Sequence, residues 1–79
     1  MQILFFGKLA DIAGRSRKID TDDYTTVGEI TKELCKDPLL AEALRHPSIT
    51  TVLDNSVVKE DAKIKNANEL AYLPPVSGG

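Results

Sequence analysis

Gln2-Ile3-Leu4-Phe5-Phe6 opens the chain with an almost unbroken apolar run of strand length. A run of that kind belongs in the middle of a sheet, with both of its faces covered. Alternation along a strand sends Phe5 and Phe6 to opposite faces, so one of them needs a cover that a single helix does not supply. The matching stretch is Glu69-Leu70-Ala71-Tyr72-Leu73, equally apolar and ending on a tyrosine and a leucine. It reads as the last strand and as the natural neighbour of the first.

Working inward from these ends, Lys8 to Ala13 suits a short helical turn, with Leu9 and Ile12 on one side and Gly14 as its stop. Arg15 to Thr21 is polar around a single strong apolar residue, Ile19, and reads as a half-exposed strand antiparallel to the first. Thr26-Val27-Gly28-Glu29 has the capping-box spacing, a hydroxyl followed three residues later by a carboxylate. Behind it Val27, Ile30, Leu34 and Cys35 fall at helical spacing, so Thr26 to Lys36 is the main helix with that stripe inward. Gly28 costs that helix up to about 1 kcal/mol relative to alanine, and nothing local explains it. Asp37-Pro38 reads as an N-cap and a first-turn proline opening a second short helix through Arg45, which Pro47 ends.

Thr50 to Leu53 is a β-type run, Asp54-Asn55-Ser56 is turn chemistry, and Val57-Val58 completes a hairpin. Lys59 to Lys65 is a charged connection anchored by Ile64, and Asn66-Ala67-Asn68 is a further turn. The expected fold is therefore α+β: a mixed four- to five-stranded sheet packed on one main helix, with one or two short helices. That arrangement is the β-grasp, or ubiquitin-like, fold.

Beyond Leu73 the character of the chain changes. Pro74 and Pro75 cannot donate to a ladder, so pairing is expected to stop there and the chain to project as a stiff stalk. Val76-Ser77-Gly78-Gly79 carries no further structure signal and, at ~3.3 Å per residue, reaches about 13 Å outward. Residues 1–75 are read as the domain and 76–79 as a flexible tail. A carboxylate behind Gly78-Gly79, with no side chain for two positions, suits threading a narrow channel in a partner.

Composition narrows the function classes. The 79 residues allow one domain with a small core and leave little room for a deep pocket of its own. Ten Lys and Arg against twelve Asp and Glu give a net charge of −2, which argues against nucleic-acid binding. One cysteine forbids an internal disulfide and a multi-cysteine metal site. Gln2 to Phe6 is too short for a signal-peptide core and no run approaches membrane-spanning length, so a soluble cytoplasmic domain is expected.

The residues Leu4-Phe5-Phe6-Gly7 and Glu69 through Gly79 resemble the small subunit of molybdopterin synthase, a ubiquitin-like sulfur-carrier family. The resemblance covers essentially the whole chain and is most specific in the Pro-Pro-Val-Ser-Gly-Gly tail. It implies a non-catalytic, sulfur-donating subunit that binds no cofactor of its own. A ubiquitin-activating-type enzyme would use ATP to adenylate the carboxylate of Gly79, and sulfur would then replace oxygen to give a thiocarboxylate. With Gly78 leading it, that group would enter the large synthase subunit, in a heterotetramer, and donate sulfur to cyclic pyranopterin monophosphate. The resemblance places an apolar docking patch at Phe6, Val57 and Leu73, continued by Pro74, Pro75 and Val76. It also marks two departures: Leu73 stands where an aromatic residue is common, and Asn66-Ala67-Asn68 replaces an acidic-glycine turn. Two other readings remain open at this point. One is a carrier for another pathway (thiamin or a tungsten cofactor) or a ubiquitin-like protein modifier; the other is a passive interaction module.

Other candidates carry bland readings. Cys35 is expected as a small buried hydrophobe and His46 as a helix-end polar contact. Arg15, Arg17 and Lys18 are expected on a solvated strand, and Asp20, Asp22 and Asp23 in a solvated loop with no metal.

Overall fold

In the computed structural model, which describes residues 1–74, the two apolar stretches lie side by side and parallel. β1 (Gln2–Phe5) and β5 (Glu69–Leu73) pair with Gln2 opposite Glu69 and Phe5 opposite Tyr72. β2 (Ser16–Lys18) runs antiparallel on the outer side of β1. β3 (Thr50–Leu53) runs antiparallel to β5, and β4 (Ser56–Val58) closes the hairpin at the far edge. The sheet order is β2-β1-β5-β3-β4, so the chain's first and last strands occupy its interior as expected.

Among the described residues three helices supply the rest: α1 (Lys8–Ala13), α2 (Val27–Leu34) and α3 (Pro38–Leu44). Leu9 of α1, Val27, Ile30 and Leu34 of α2, and Leu40 of α3 join Ile3, Phe5, Ile64, Leu70 and Tyr72 in one buried cluster. The helices thus cover the sheet face that carries Ile3 and Phe5. The expectation that both faces of β1 are covered is corrected: on the alternate positions Gln2 is exposed and Leu4 only half-buried. An apolar run fixes a strand's place in the sheet, but the helices decide which of its faces is buried.

Local signals act where they stand. Thr26 Oγ1 accepts from the Glu29 amide at 3.4 Å, and Glu29 Oε1 accepts from the Thr25 and Thr26 amides at 2.8 and 3.0 Å. Those two amides, Thr25 first, hold the Glu29 carboxyl below its ordinary pKa. The Asp37 side chain accepts from the Leu39 amide at 3.0 Å, with Pro38 at the first helical position of α3. Gly14, at φ 85°, ends α1.

Gly28 acquires its reason only in three dimensions. The segment after β4 runs back along the start of α2, bridging Lys63 to Thr26. There the Gly28 amide donates to the Glu60 carbonyl at 2.8 Å. A Cβ on Gly28 would lie 3.1 Å from that carbonyl oxygen and 3.2 Å from Glu60 Cβ. The helix gives up propensity at this position so that two backbones can touch.

The β3–β4 turn uses Asp54 and Asn55 at φ 45° and 73°, left-handed values that match the twist of a tight hairpin. Ser56, expected in the turn, is the first residue of β4. Asn66 takes φ 64°, a value asparagine adopts more readily than most residues, in the turn where the resemblance implies an acidic-glycine pair. Cys35 departs from expectation. The helix stops at Leu34, and Cys35 is its half-buried C-cap, with its amide on the Thr31 carbonyl at 2.9 Å.

Candidate functional site

The last strand sets the site. Tyr72 is 1% exposed and stacks on Phe5, ring centroids 5.8 Å apart and 13° from parallel. Its hydroxyl lies 2.6 Å from Thr31 Oγ1, which itself donates to the Val27 carbonyl at 3.1 Å; the phenol therefore donates to Thr31. Burial pushes the Tyr72 phenol up to about 12. Tyr72 ties the end of β5 to α2, so the residue that follows starts from a fixed place.

With Tyr72 inward, Leu73 turns to the uncovered face of the sheet. The Phe6 amide donates to the Tyr72 carbonyl at 3.2 Å, extending the β1–β5 ladder by one residue and setting Phe6 beside Leu73. Phe6 is 46% exposed, and Leu73 is half-buried. One row back, Leu4 pairs with Ala71, Ala71 with Val52, and Val52 with Val57. Val57, 74% exposed, is the outermost residue of that row. Phe6 and Leu73 are thus brought together, while Val57 stands three strand spacings from β1, about 14 Å away. Leu4, Val52 and Ala71 fill the space between, and the resemblance had not named them. The alternation of each strand carries the signal for all three.

Pro74 is the last described residue, and it rests on Gly7. A Cβ on Gly7 would lie 2.8 Å from Pro74 Cγ, and the φ of +57° at Gly7 is itself one that side chains rarely adopt. Glycine here lets β1 turn into α1 while the chain leaving β5 passes over it. Pro75, Val76, Gly78 and Gly79 lie outside the described residues.

Asp54 was not singled out from sequence, yet it anchors this strand at its other end. Its carboxylate accepts from the Asn68 amide at 3.1 Å and from the Glu69 amide at 3.0 Å. Its own amide donates to the Glu69 carbonyl at 3.0 Å. An aspartate in a turn signals only the turn, because its partners lie in a distant segment. His46 and the basic strand sit as expected. His46 Nδ1 accepts from the Ser48 amide at 3.1 Å just after α3, and β2 with Arg17 and Lys18 is exposed. Among the described residues no group of three His, Cys, Asp or Glu side chains could hold a metal ion, and no helix is long and apolar enough to cross a membrane.

The geometry is therefore a small domain whose last strand, pinned at both ends, delivers the chain to the edge of an uncovered apolar stripe. Known proteins align with it over nearly its whole length. The chain is 26% identical to the molybdopterin synthase sulfur carrier subunit of Haemophilus influenzae, the alignment covering 100% of this chain and 99% of that protein. It is 24% identical to the Escherichia coli protein of the same name over the same shares. The crystal structure of SAMP1 from Haloferax volcanii superposes with a TM-score of 0.81 at 27% identity, covering 99% of this chain and 97% of that one. The ThiS family model matches residues 3–79, which takes in both sheet-forming ends and the tail: this chain belongs to the ThiS family.

Proposed function

We propose that this chain is a sulfur carrier of molybdopterin synthesis, with the carboxylate of Gly79 as the sulfur-bearing group. The observation that carries the reading is the position of β5: it ends, fixed by Tyr72 and by Pro74 on Gly7, beside exposed Phe6 and with half-buried Leu73 on the uncovered face. A domain built this way offers a partner an apolar surface and a chain end at one place. The relatives' name, molybdopterin synthase sulfur carrier subunit, supports the pathway.

The chemistry follows from what a carboxylate lacks. It is a poor electrophile, so an adenylating partner joins it to AMP, releasing pyrophosphate from ATP. A sulfur nucleophile then displaces AMP and leaves a thiocarboxylate, a strong nucleophile that can attack the pterin in the large synthase subunit. This chain contributes docking and delivery. Phe6, Val57, Leu73 and Pro74 lose water against each partner in turn, at up to about 1.5–3 kcal/mol for each large apolar side chain fully buried. Gly78 and Gly79 pass where a side chain would not.

The test is intact-mass measurement after incubation with the activating enzyme, ATP and a sulfide source. The expected result is the mass change of one oxygen-for-sulfur exchange, lost on deletion of Gly79 with the melting temperature nearly unchanged. Sulfur uptake by the deletion variant would overturn the assignment.

A further inference from the structure

The strands end in a line at the edge where β5 gives way to Pro74, and that line has a charge pattern. The Arg15 carbonyl accepts from the Phe5 amide at 3.0 Å, which sets Arg15 at the outer end beside β1. Phe6 follows, then Leu73 with Thr50 opposite it. Thr51 pairs with Val58, so Lys59 stands next to Thr50 at the other outer end. The row reads Phe6, Leu73, Thr50, Lys59, and Arg15 stands one residue back opposite Phe5: a cation near each corner and apolar or neutral residues between. Four strand spacings of ~4.8 Å put the corners about 19 Å apart.

Among the described residues neither corner cation is held in an ion pair. Arg15, Arg45 and Lys59 are all exposed, and among the described residues the one ion pair is Lys36 with Glu33. Arg45 and His46 line the same cavity of about 320 Å³ as Lys59, with Glu60 the only carboxylate among its described lining residues. Arg15 shares a groove with Phe6 and Gly7, with Asp11 the only carboxylate among its described lining residues. The opposite end of the sheet is acidic: Asp54 and Glu69 lie at the start of β5, and Asp20, Asp22 and Asp23 follow β2, against Lys18 and Lys65. In a chain of net charge −2, the end that delivers the tail is cationic and the far end anionic.

We propose that the tail-exit end is a docking plate with cationic corners, whose partner is a protein groove with an apolar floor and carboxylates on two opposing rims about 19 Å apart. This rests on the sulfur-carrier reading, to which it adds the chemistry of the partner's surface. Exposed ion pairs contribute little to affinity. Their effect falls on encounter: a domain positive at one end and negative at the other turns tail-first in the field of an acidic groove. The turning matters because a short tail reaches its channel only if the right end arrives.

The experiment is stopped-flow association of the full-length chain with the large subunit of molybdopterin synthase from the same organism, at about 0.01 M and about 0.5 M salt. Arg15→Glu with Lys59→Glu is expected to slow association about tenfold or more at low salt, with the gap closing at high salt and dissociation little changed. Lys18→Glu with Lys65→Glu makes the same net charge change at the far end and is expected to leave the rate within about twofold. Circular dichroism melts check that both double variants fold. Equal slowing by the two pairs, or none at low salt, overturns the proposal while leaving the sulfur-carrier reading intact. No binding by the unaltered chain overturns both.

Discussion

Phe5 and Phe6 are adjacent in sequence and opposite in exposure, and truncating each to alanine tests whether one is core and the other a docking residue. Phe5 is 2% exposed and stacks on Tyr72 at 5.8 Å. Phe5→Ala therefore leaves a cavity in the centre of the cluster and costs about 3–5 kcal/mol, of which the lost ring pair is about 0.5–1.5 kcal/mol. For a domain of 79 residues that approaches the whole stability, which at ~0.05–0.15 kcal/mol per residue is about 4–12 kcal/mol. Each kcal/mol moves the melting temperature by about 4–8 °C at this size, so a fall of at least about 12 °C is expected. Phe6 is 46% exposed, and only about half of its transfer free energy, on the order of 1 kcal/mol, is at stake in the free domain. Phe6→Ala should thus melt within about 8 °C of the unaltered chain, yet lose about 2 kcal/mol or more of binding to the large subunit, roughly thirtyfold in Kd. Calorimetric melting and titration calorimetry measure the two quantities on the same samples. Equal destabilisation by both variants would show that Phe6 is core; unchanged binding by Phe6→Ala would show that the uncovered face is not the docking surface.

Leu73→Asp should keep a cooperative melt and weaken binding to both the large subunit and the activating enzyme by more than about tenfold; a largely unfolded variant would place Leu73 in the core. Gly28→Val should destabilise by about 1–3 kcal/mol in chemical denaturation, because its side chain meets the Glu60 backbone where a Cβ alone would already lie at 3.1–3.2 Å; a neutral result would mean the segment after β4 gives way freely. The Tyr72 phenol, pushed up to about 12, makes stability fall at alkaline pH. Its folded value lies above the unfolded one of about 10, so the folded state holds the proton longer. The contribution is whole below about 10 and is lost as pH rises toward 12; Tyr72→Phe should flatten that part of the stability curve.

What could be read from sequence was local or periodic. Thr26 with Glu29, Asp37 with Pro38, and Gly14 each act within a turn of where they stand, and each does in the structure what its spacing implies. The bounds of β5 follow from a proline that cannot continue a ladder. The strand expected over Arg15 to Thr21 narrows to Ser16–Lys18, because an edge strand extends only as far as its one neighbour pairs with it. What could not be read depends on contacts between distant segments. Gly28 is explained by Glu60, and Asp54 by Asn68 and Glu69. Which face of β1 lies open depends on where the helices settle. The resemblance supplied single patch positions, and the sheet registers added Leu4, Val52 and Ala71 between them.

In the proposed function, sulfur leaves the end of this chain for a pterin. The most direct test mixes the thiocarboxylated chain with the large synthase subunit and cyclic pyranopterin monophosphate, and quantifies dithiolene-containing molybdopterin against carrier consumed. The expected result is product in proportion to carrier, one chain returned to the carboxylate form for each dithiolene sulfur. Absence of product, with the chain recovered instead in isopeptide bonds to many cellular proteins, would contradict it.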